Sequence, residues 1–456
     1  MKKIELLIVL AIIGILSACD DFIDTVPKGM VIPTTTEDFR QMIIDATSSS
    51  VAYPLANVCS DDVYSVDVKE NASDGRAYYW MEDFYKANEP DKAWNTPYEQ
   101  MYRMNVVVQS IMGSTEGTQE EKEAIRAEAK CWRAYYNWYL QSLYAPIYDA
   151  ATAETDLSVP LVQVPDLEAK SSRATVQQIT NAIGEDLERA EELLPDKAAN
   201  LYRPNKGAVY AFKARFYLYM GKYDEAAQMA QLALGKNNAL NDMRTWAFKN
   251  EQIPTSGIIN RPLNYRESPE KIWFQSTGFN TLLTSFCMSD DLKAMYDETD
   301  LRFKFWFTNR TRRGDLWEDG RYRYLQEVDY SFTVPEMMLI RAEVLARKND
   351  AEALKILNNL RIMRFKEEDY VPLDKNDGPD LLTIVLAERR RELALSGLRW
   401  LDMKRLSKEG RYTQTLIRSL NGVDHKLEPN SKLYVFPIPP QVLSLNSNVV
   451  PNDRTQ

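Results

Sequence analysis

Between Lys206 and Leu234 the chain spaces its small and aromatic residues in a way that suits two antiparallel helices. Tyr210, Ala214 and Tyr217 precede the break Gly221-Lys222-Tyr223, and Ala226 and Ala233 follow it at helical spacing. Small residues at 214, 226 and 233 let two helices approach closely, and the tyrosines fill the space between them. A strand pattern alternates every second residue and would scatter these positions over both faces. The segment therefore commits this part of the chain to a helical hairpin.

The spacings also match those of a tetratricopeptide unit. A second such unit spans Glu336 to Arg364, with its turn at Lys348-Asn349-Asp350, one residue shorter than the standard spacing. For both segments the alternative is a generic helical hairpin. Further helices are predicted from near Thr36, with Glu37 and Asp38 in the first turn, over Pro97 to Met112, and over Gln119 to Tyr144 before Pro146. Val176 to Leu194 carries Ile179, Ile183, Leu187 and Ala190 on one face and is stopped by Pro195. Leu382 to Leu406 reads as another helix, highly charged, and Tyr434 to Pro440 as an extended tail. From Lys236 to Thr333 the helical period lapses. So long an irregular stretch inside a compact domain points to function. The expected fold is mainly all-α: repeat helices over about 94–235 and 334–406, with a loop-rich insertion over about 236–333.

The amino terminus carries a different message. Lys2 and Lys3 precede an apolar run from Leu6 to Leu16, followed by Ser17, Ala18 and Cys19. The run is shorter than the roughly 20 residues a membrane-spanning helix needs. It has the layout of a signal peptide, residues 1–18, with Cys19 as the lipidated first residue of the mature protein. Residues 19–36 then form a tether holding the body off a bilayer.

Composition narrows the chemistry. A net charge of −10 argues against a nucleic-acid partner. The single histidine, His425, lies in a polar segment read as a loop and cannot build a His-rich zinc site. Once Cys19 is lipidated, Cys59, Cys131 and Cys287 remain, enough for one disulfide but not for a disulfide framework. Cys131, in a helical segment, reads as a small core residue. No phosphate-binding or dinucleotide glycine pattern occurs, nor an EF-hand spacing, so no cofactor or metal site is predicted. The carboxylate pairs Asp61-Asp62 and Asp290-Asp291 do not by themselves make a hydrolytic centre, which needs two carboxyls facing each other across a cleft. Asp290-Asp291 more simply opens a helix through Leu292, Met295 and Tyr296. No residue is assigned a catalytic role.

Several segments together resemble the SusD/RagB family of outer-membrane nutrient-binding lipoproteins. They are Glu128-Ala129 with Arg133-Ala134-Tyr135-Tyr136 and Leu143-Tyr144; Arg173, Asp186-Leu187, Ala190 and Leu194-Pro195; and Ala211 to Gly221 with Tyr223 and Ala226. Most specific is Glu388-Arg389-Arg390-Arg391-Glu392-Leu393 with Gly397, Arg399-Trp400, Asp402 and Lys404-Arg405, followed by Ile438-Pro439 and the tail from Asn446 to Asn452. The chain departs from the family pattern at Leu398, at Ala145 and in Val449-Val450-Pro451-Asn452. The resemblance implies a helical repeat body with a looped ligand-binding half. It also implies a cell-surface role as a lid over a TonB-dependent (SusC-like) transporter, capturing oligosaccharide or peptide. Asp20 and Asp21 resemble the family's acidic export signal, and a solvated tether would look the same.

Within the charged helix, Glu388 stands three residues before Arg391 and Asp402 three before Arg405, so the charges can pair locally. Trp94, Trp132, Trp138 and Trp400 fall on helical periods and are expected in the core. The indoles outside those helices are the candidates for stacking on the apolar face of a sugar ring. Trp80, in Tyr78-Tyr79-Trp80, is the leading choice, with Asp61, Asp62 and Tyr64 in the same early loop region and Trp273 and Trp317 next. The expected function is glycan capture without catalysis. Its rivals are peptide capture by the same machinery, a surface glycoside hydrolase, and an envelope scaffold.

Overall fold

The structure is a computed structural model that describes residues 33–48, 55–87, 89–262, 267–275, 285–325, 329–394 and 396–455. The leader, Cys19, Asp20 and Asp21 lie outside the described residues.

Helix α1 (Thr36–Ser48) begins where its acidic first turn suits the positive helix end. After the short α2 (Leu55–Cys59) and α3 (Ser73–Tyr78) comes α4 (Lys92–Ser110), capped by the Asp91 side chain on the Ala93 amide. Helix α5 (Gln119–Tyr144) starts at a Thr118 cap, and α6 (Val176–Leu193) at a reciprocal Thr175/Gln178 box. The predicted hairpin is α7 (Lys206–Tyr219) with α8 (Tyr223–Lys236); its Ala214, Ala226 and Ala233 are fully buried. The short α9 (Asp290–Lys293) and α10 (Leu301–Trp306) follow in the irregular stretch, α9 capped by Ser289. The second hairpin is α11 (Val334–Arg347) with α12 (Glu352–Arg361). Successive helices pack on one another: α4 on α5, α5 on α6, α7 on α8, α8 on α11, and α11 on α12. The body is a mainly helical, tetratricopeptide-like array, as the spacing predicts.

The charged segment read as one helix is two, α13 (Leu381–Glu392) and α14 (Leu398–Lys408). Gly397 lies between them at φ +77°, a left-handed conformation that a helix cannot pass through. The local pairs Glu388–Arg391 (2.7 Å) and Asp402–Arg405 (2.8 Å) form, and Trp400 is fully buried. The same charges also reach far partners. Glu388 meets Arg302 at 2.7 Å and Arg361 at 3.1 Å, Glu392 meets Arg364 at 2.7 Å, and Glu343 meets Arg405 at 2.5 Å. A short helix α15 (Pro440–Leu445) lies in the tail.

The strands are short and pair antiparallel, two at a time. In chain order they are β1 (Val63–Ser65), β2 (Leu157–Pro160), β3 (Arg173–Thr175), β4 (Ala247–Phe248), β5 (Ile258–Ile259), β6 (Lys271–Trp273), β7 (Phe286–Met288), β8 (Phe307–Thr308), β9 (Arg323–Tyr324), β10 (Phe332–Thr333), β11 (Leu416–Leu420) and β12 (Val423–Leu427). The pairs are β1–β7, β2–β3, β4–β5, β6–β10, β8–β9 and β11–β12. His425 therefore sits in a strand of the β11–β12 hairpin, not in a loop. Its turn, Asn421-Gly422, has positive φ at both residues and suits the strand twist. Cys59, Cys131 and Cys287 are buried and free.

The carboxyl end of α5 shows why the tail matters. The last carbonyls of a helix have no partner within it. Here Phe436 N donates to Leu143 O (2.9 Å), Asn452 Nδ2 to Tyr144 O (2.9 Å), and Lys404 Nζ to both Ser142 O and Ala145 O (2.9 Å each). The tail and α14 thus cap α5 without a glycine at 145. Lys404→Met should leave the buried Ala145 carbonyl and the partly buried Ser142 carbonyl without this donor and cost about 2 kcal/mol. A lowered urea midpoint at unchanged slope would show it.

Candidate functional site

The structure places most of the predicted site residues inside the protein. Trp80 is 2% exposed, its indole N–H donates to Cys59 O at 2.8 Å, and the Arg418 guanidinium lies 4.2 Å from its ring centre. Tyr78 is buried beneath the same guanidinium (3.9 Å), and its hydroxyl accepts from Ser65 N at 3.1 Å. Arg418 belongs to β11 and also donates to the carbonyls of Val58, Tyr78, Ser60 and Val63. The hairpin thus pins the early loop, and both rings lie buried beneath it.

Asp61 and Asp62 turn inward as well. Arg399 grips Asp61 through two bonds of 2.7 and 2.6 Å, and Tyr412 OH adds a third at 3.2 Å. Burial alone would raise the Asp61 carboxyl, but Arg399 and Arg390 outweigh it and hold it well below the usual range. Asp62 accepts from Arg390 Nε at 2.7 Å, yet burial dominates there and pushes its carboxyl up. Both carboxylates fasten the early loop to α13 and α14. Trp273 is fully buried: its ring stacks on Phe332 at 5.4 Å and 13°, meets Trp132 edge-on, and donates its N–H to Tyr202 O at 3.0 Å. These five side chains belong to the core, not to an open face.

Tyr64 and Trp317 remain, and the fold brings them to one neighbourhood. In β1, Val63 is buried while Tyr64 is half-exposed, because successive strand residues point to opposite faces. Tyr64 pairs with Cys287 of β7. Met288 N then donates to Tyr322 O at 2.9 Å, so the chain entering β9 lies along the other edge of β7. The long loop between β8 and β9 carries Trp317, held by its amide on Asn309 O (2.9 Å). Arg321 and Arg323 lie 5.1 and 4.6 Å from the Trp317 ring centre. Arg321 is forked on Asp319 at 2.7 Å to each oxygen. The Tyr64 hydroxyl senses this group: burial, then Cys287, Asp319 and Asp290, push it up to about 12. The Trp317 ring is partly exposed, while its indole N–H is turned inward and has no hydrogen-bond partner among the described residues.

The result is a partly exposed face of two aromatic rings, two guanidinium groups and a carboxylate. Arg321, Arg323 and Asp319 were not singled out from sequence. The alternation Arg321-Tyr322-Arg323-Tyr324 was the available signal, since strand period 2 puts both arginines on one side and sends Tyr324 inward. Among the described residues no group of three or more His, Cys, Asp or Glu is placed to hold a metal ion. Among them also, no helix is long and apolar enough to cross a membrane.

Comparison with known proteins gives a consistent picture. A family model described as "Starch-binding associating with outer membrane" matches residues 21–218, and the SusD family model matches residues 323–454. SusD-like protein P2 of Formosa agariphila is 25% identical over 402 residues, covering 75% of this chain and 76% of that protein. SusD-like protein P38 of the same organism is 23% identical, covering 88% and 90%. Among solved structures, a putative sugar binding protein from Bacteroides vulgatus superposes with a TM-score of 0.71 at 20% identity, covering 93% of this chain and 99% of that one. Surface glycan-binding protein A from Bacteroides uniformis gives 0.71 at 16% identity, covering 92% and 100%.

Proposed function

The chain belongs to the SusD/RagB family, and from that premise we propose that it captures a glycan at the cell surface through the Tyr64–Trp317 face. The observation that carries this reading is Trp317. It is a partly exposed indole whose ring is flanked by Arg321 and Arg323, with Tyr64 close to Asp319 and Arg321. An indole face takes up the apolar C–H face of a sugar ring, and guanidinium and carboxylate groups beside it bond hydroxyls. The name of the Bacteroides uniformis neighbour, a surface glycan-binding protein, supports the same ligand class.

In this proposal Cys19 carries the lipid, the outer membrane is the location, and a TonB-dependent transporter is the partner that receives the ligand. A lid tethered beside its transporter works at high effective concentration, so modest affinity suffices. The protein has no catalytic role in this scheme.

Affinity electrophoresis of the purified protein on a panel of polysaccharides tests the reading. Retardation on at least one glycan is expected. Trp317→Ala should weaken it roughly tenfold or more, and Tyr64→Ala less. Unchanged retardation of Trp317→Ala would reject the face. Release of reducing ends from the same panel would sink the non-catalytic assignment, and binding confined to a parallel peptide panel would replace the glycan with a peptide.

A further inference from the structure

Where the carboxyl-terminal tail crosses the end of α5, the fold leaves a hollow of about 540 Å³. Its lining includes Arg173, Lys404, Lys408, Lys432, Tyr434 and Asn452. The outer two lysines have carboxylates of their own: Lys408 pairs with Asp149 at 2.7 Å and Lys432 with Asp453 at 2.5 Å. Among the described residues Arg173 and Lys404 have none. Arg173 donates to the carbonyls of Ser158 (2.5 Å), Val450 (3.2 Å) and Leu157 (2.9 Å), and Lys404 to those of Ser142 and Ala145. Both are buried. Of the two further carboxylates lining the hollow, Asp453 is taken by Lys432, and Asp156 accepts from Thr152 Oγ1 at 2.6 Å.

Carbonyl-bound cations occur elsewhere in the fold, and the contrast with them is informative. Arg418 and Arg454 also donate to main-chain carbonyls, but each rests on aromatic faces: Arg418 on Tyr78 and Trp80, Arg454 on Phe84 at 4.6 Å. Neither lines this hollow. Among the described residues no ring lies over Arg173 or Lys404. A guanidinium has five N–H donors and an ammonium three, so both groups keep donors in reserve after these bonds. Two buried positive charges that form no ion pair among the described residues are costly, and burial accordingly pushes Lys404 down to about 7 and Arg173 to about 10. The buried hydroxyl of Tyr434 also lacks a hydrogen-bond partner among the described residues.

We propose that this hollow is an oxyanion site, taking one sulfate, phosphate or carboxylate group between Arg173 and Lys404, with Lys408 and Lys432 at its rim. Charged donors around a cavity of this size fit a small oxyanion, free or borne on an acidic sugar. The site is separate from the Tyr64–Trp317 face, and the proposal stands or falls without it.

Thermal unfolding of the full-length protein in detergent tests it, titrated with sodium sulfate, phosphate or acetate against sodium chloride at matched ionic strength. Bound anion stabilises the folded state by mass action, so Tm should rise by a few degrees and saturate in the millimolar range. Exclusion of sulfate from protein surfaces also raises Tm, but without saturating. Arg173→Gln should abolish the saturating part and leave the linear part. Lys432→Ala, at an exposed position, should shift the saturation midpoint to higher concentration. A wild-type curve with no saturating component for any of the three anions would overturn the proposal, and so would an identical saturating curve in a folded Arg173→Gln. The source of the group is decided by adding oligogalacturonate and a sulfated oligosaccharide. Saturation by these that depends on Arg173 assigns the hollow to an acidic glycan; saturation by the inorganic ions alone assigns it to a free anion.

Discussion

Glu388→Ala is expected to destabilise the protein by about 3–5 kcal/mol, the usual cost of removing one partner from a buried ionic cluster. Glu388 is fully buried and receives Arg302, Arg361 and Arg391, from α10, α12 and its own helix. Without it, Arg302 keeps Asp300 and Glu392, but the largely buried Arg361 and Arg391 lose a carboxylate. Glu388→Gln preserves volume and one acceptor and should cost less. Urea denaturation of both variants checks this, and a Glu388→Ala loss below about 1 kcal/mol would show that the cluster does not stabilise the fold.

Buried carboxylates held by arginines set the acid limit, in this cluster and in the separate Asp402–Arg389–Arg405 group. Burial would raise the Asp402 carboxyl, but Arg389 and Arg405 outweigh it and bring it down to about 2; Glu388 is held lower still by Arg302, Arg391 and Arg361. A carboxylate whose folded pKa lies below its unfolded value of about 4 stabilises the fold above pH 4. That stability disappears as pH falls through the folded value. Stability should therefore decline steeply from about pH 4 to pH 2, with Asp402 alone contributing about 2 kcal/mol.

Gly397→Ala should cost a further large amount, about 2–5 kcal/mol, for two separable reasons. The backbone at φ +77° penalises any residue with a Cβ by about 1–2 kcal/mol. A Cβ there would also stand 2.2 Å from Tyr330 Cε1, in a place where Asn57 ties both parties together: its Oδ1 accepts from Gly397 N and its Nδ2 donates to Tyr330 OH, each at 3.1 Å. Overpacking of this kind costs about 1–3 kcal/mol. A double-mutant cycle with Tyr330→Ala separates the two. The steric part should vanish in the double variant while the backbone part persists. If Gly397→Ala costs nothing, the left-handed junction between α13 and α14 is not a constraint. The junction matters because it aims Arg390 and Arg399, on either side of it, at Asp62 and Asp61.

How much of this could be read from the chain varied with the range of the interaction. The hairpin from Lys206 to Lys236 was legible because its small residues recur every three or four positions and its break is local. So were the pairs Glu388–Arg391 and Asp402–Arg405, one helical turn apart. The split of the charged helix at Gly397 was not, since a lone glycine is tolerated within many helices and its positive φ answers to Tyr330, far away in sequence. Trp80 looked like an open-face aromatic because no helical period claims it. Its burial comes from Cys59 and from Arg418, more than 300 residues further on. Trp273 and Trp317 stood alike in the irregular stretch. One became the centre of an aromatic core and the other kept a partly exposed ring.

The sequence by itself marked most of the helices and the resemblance to the family, because each rests on residues within one or two turns or on motifs read in order. The tertiary structure alone decided which aromatic rings meet water and which carboxylates are already taken. Exposure is a property of everything packed against a side chain, and here the arginines that cover Asp61 and Trp80 come from the far end of the chain.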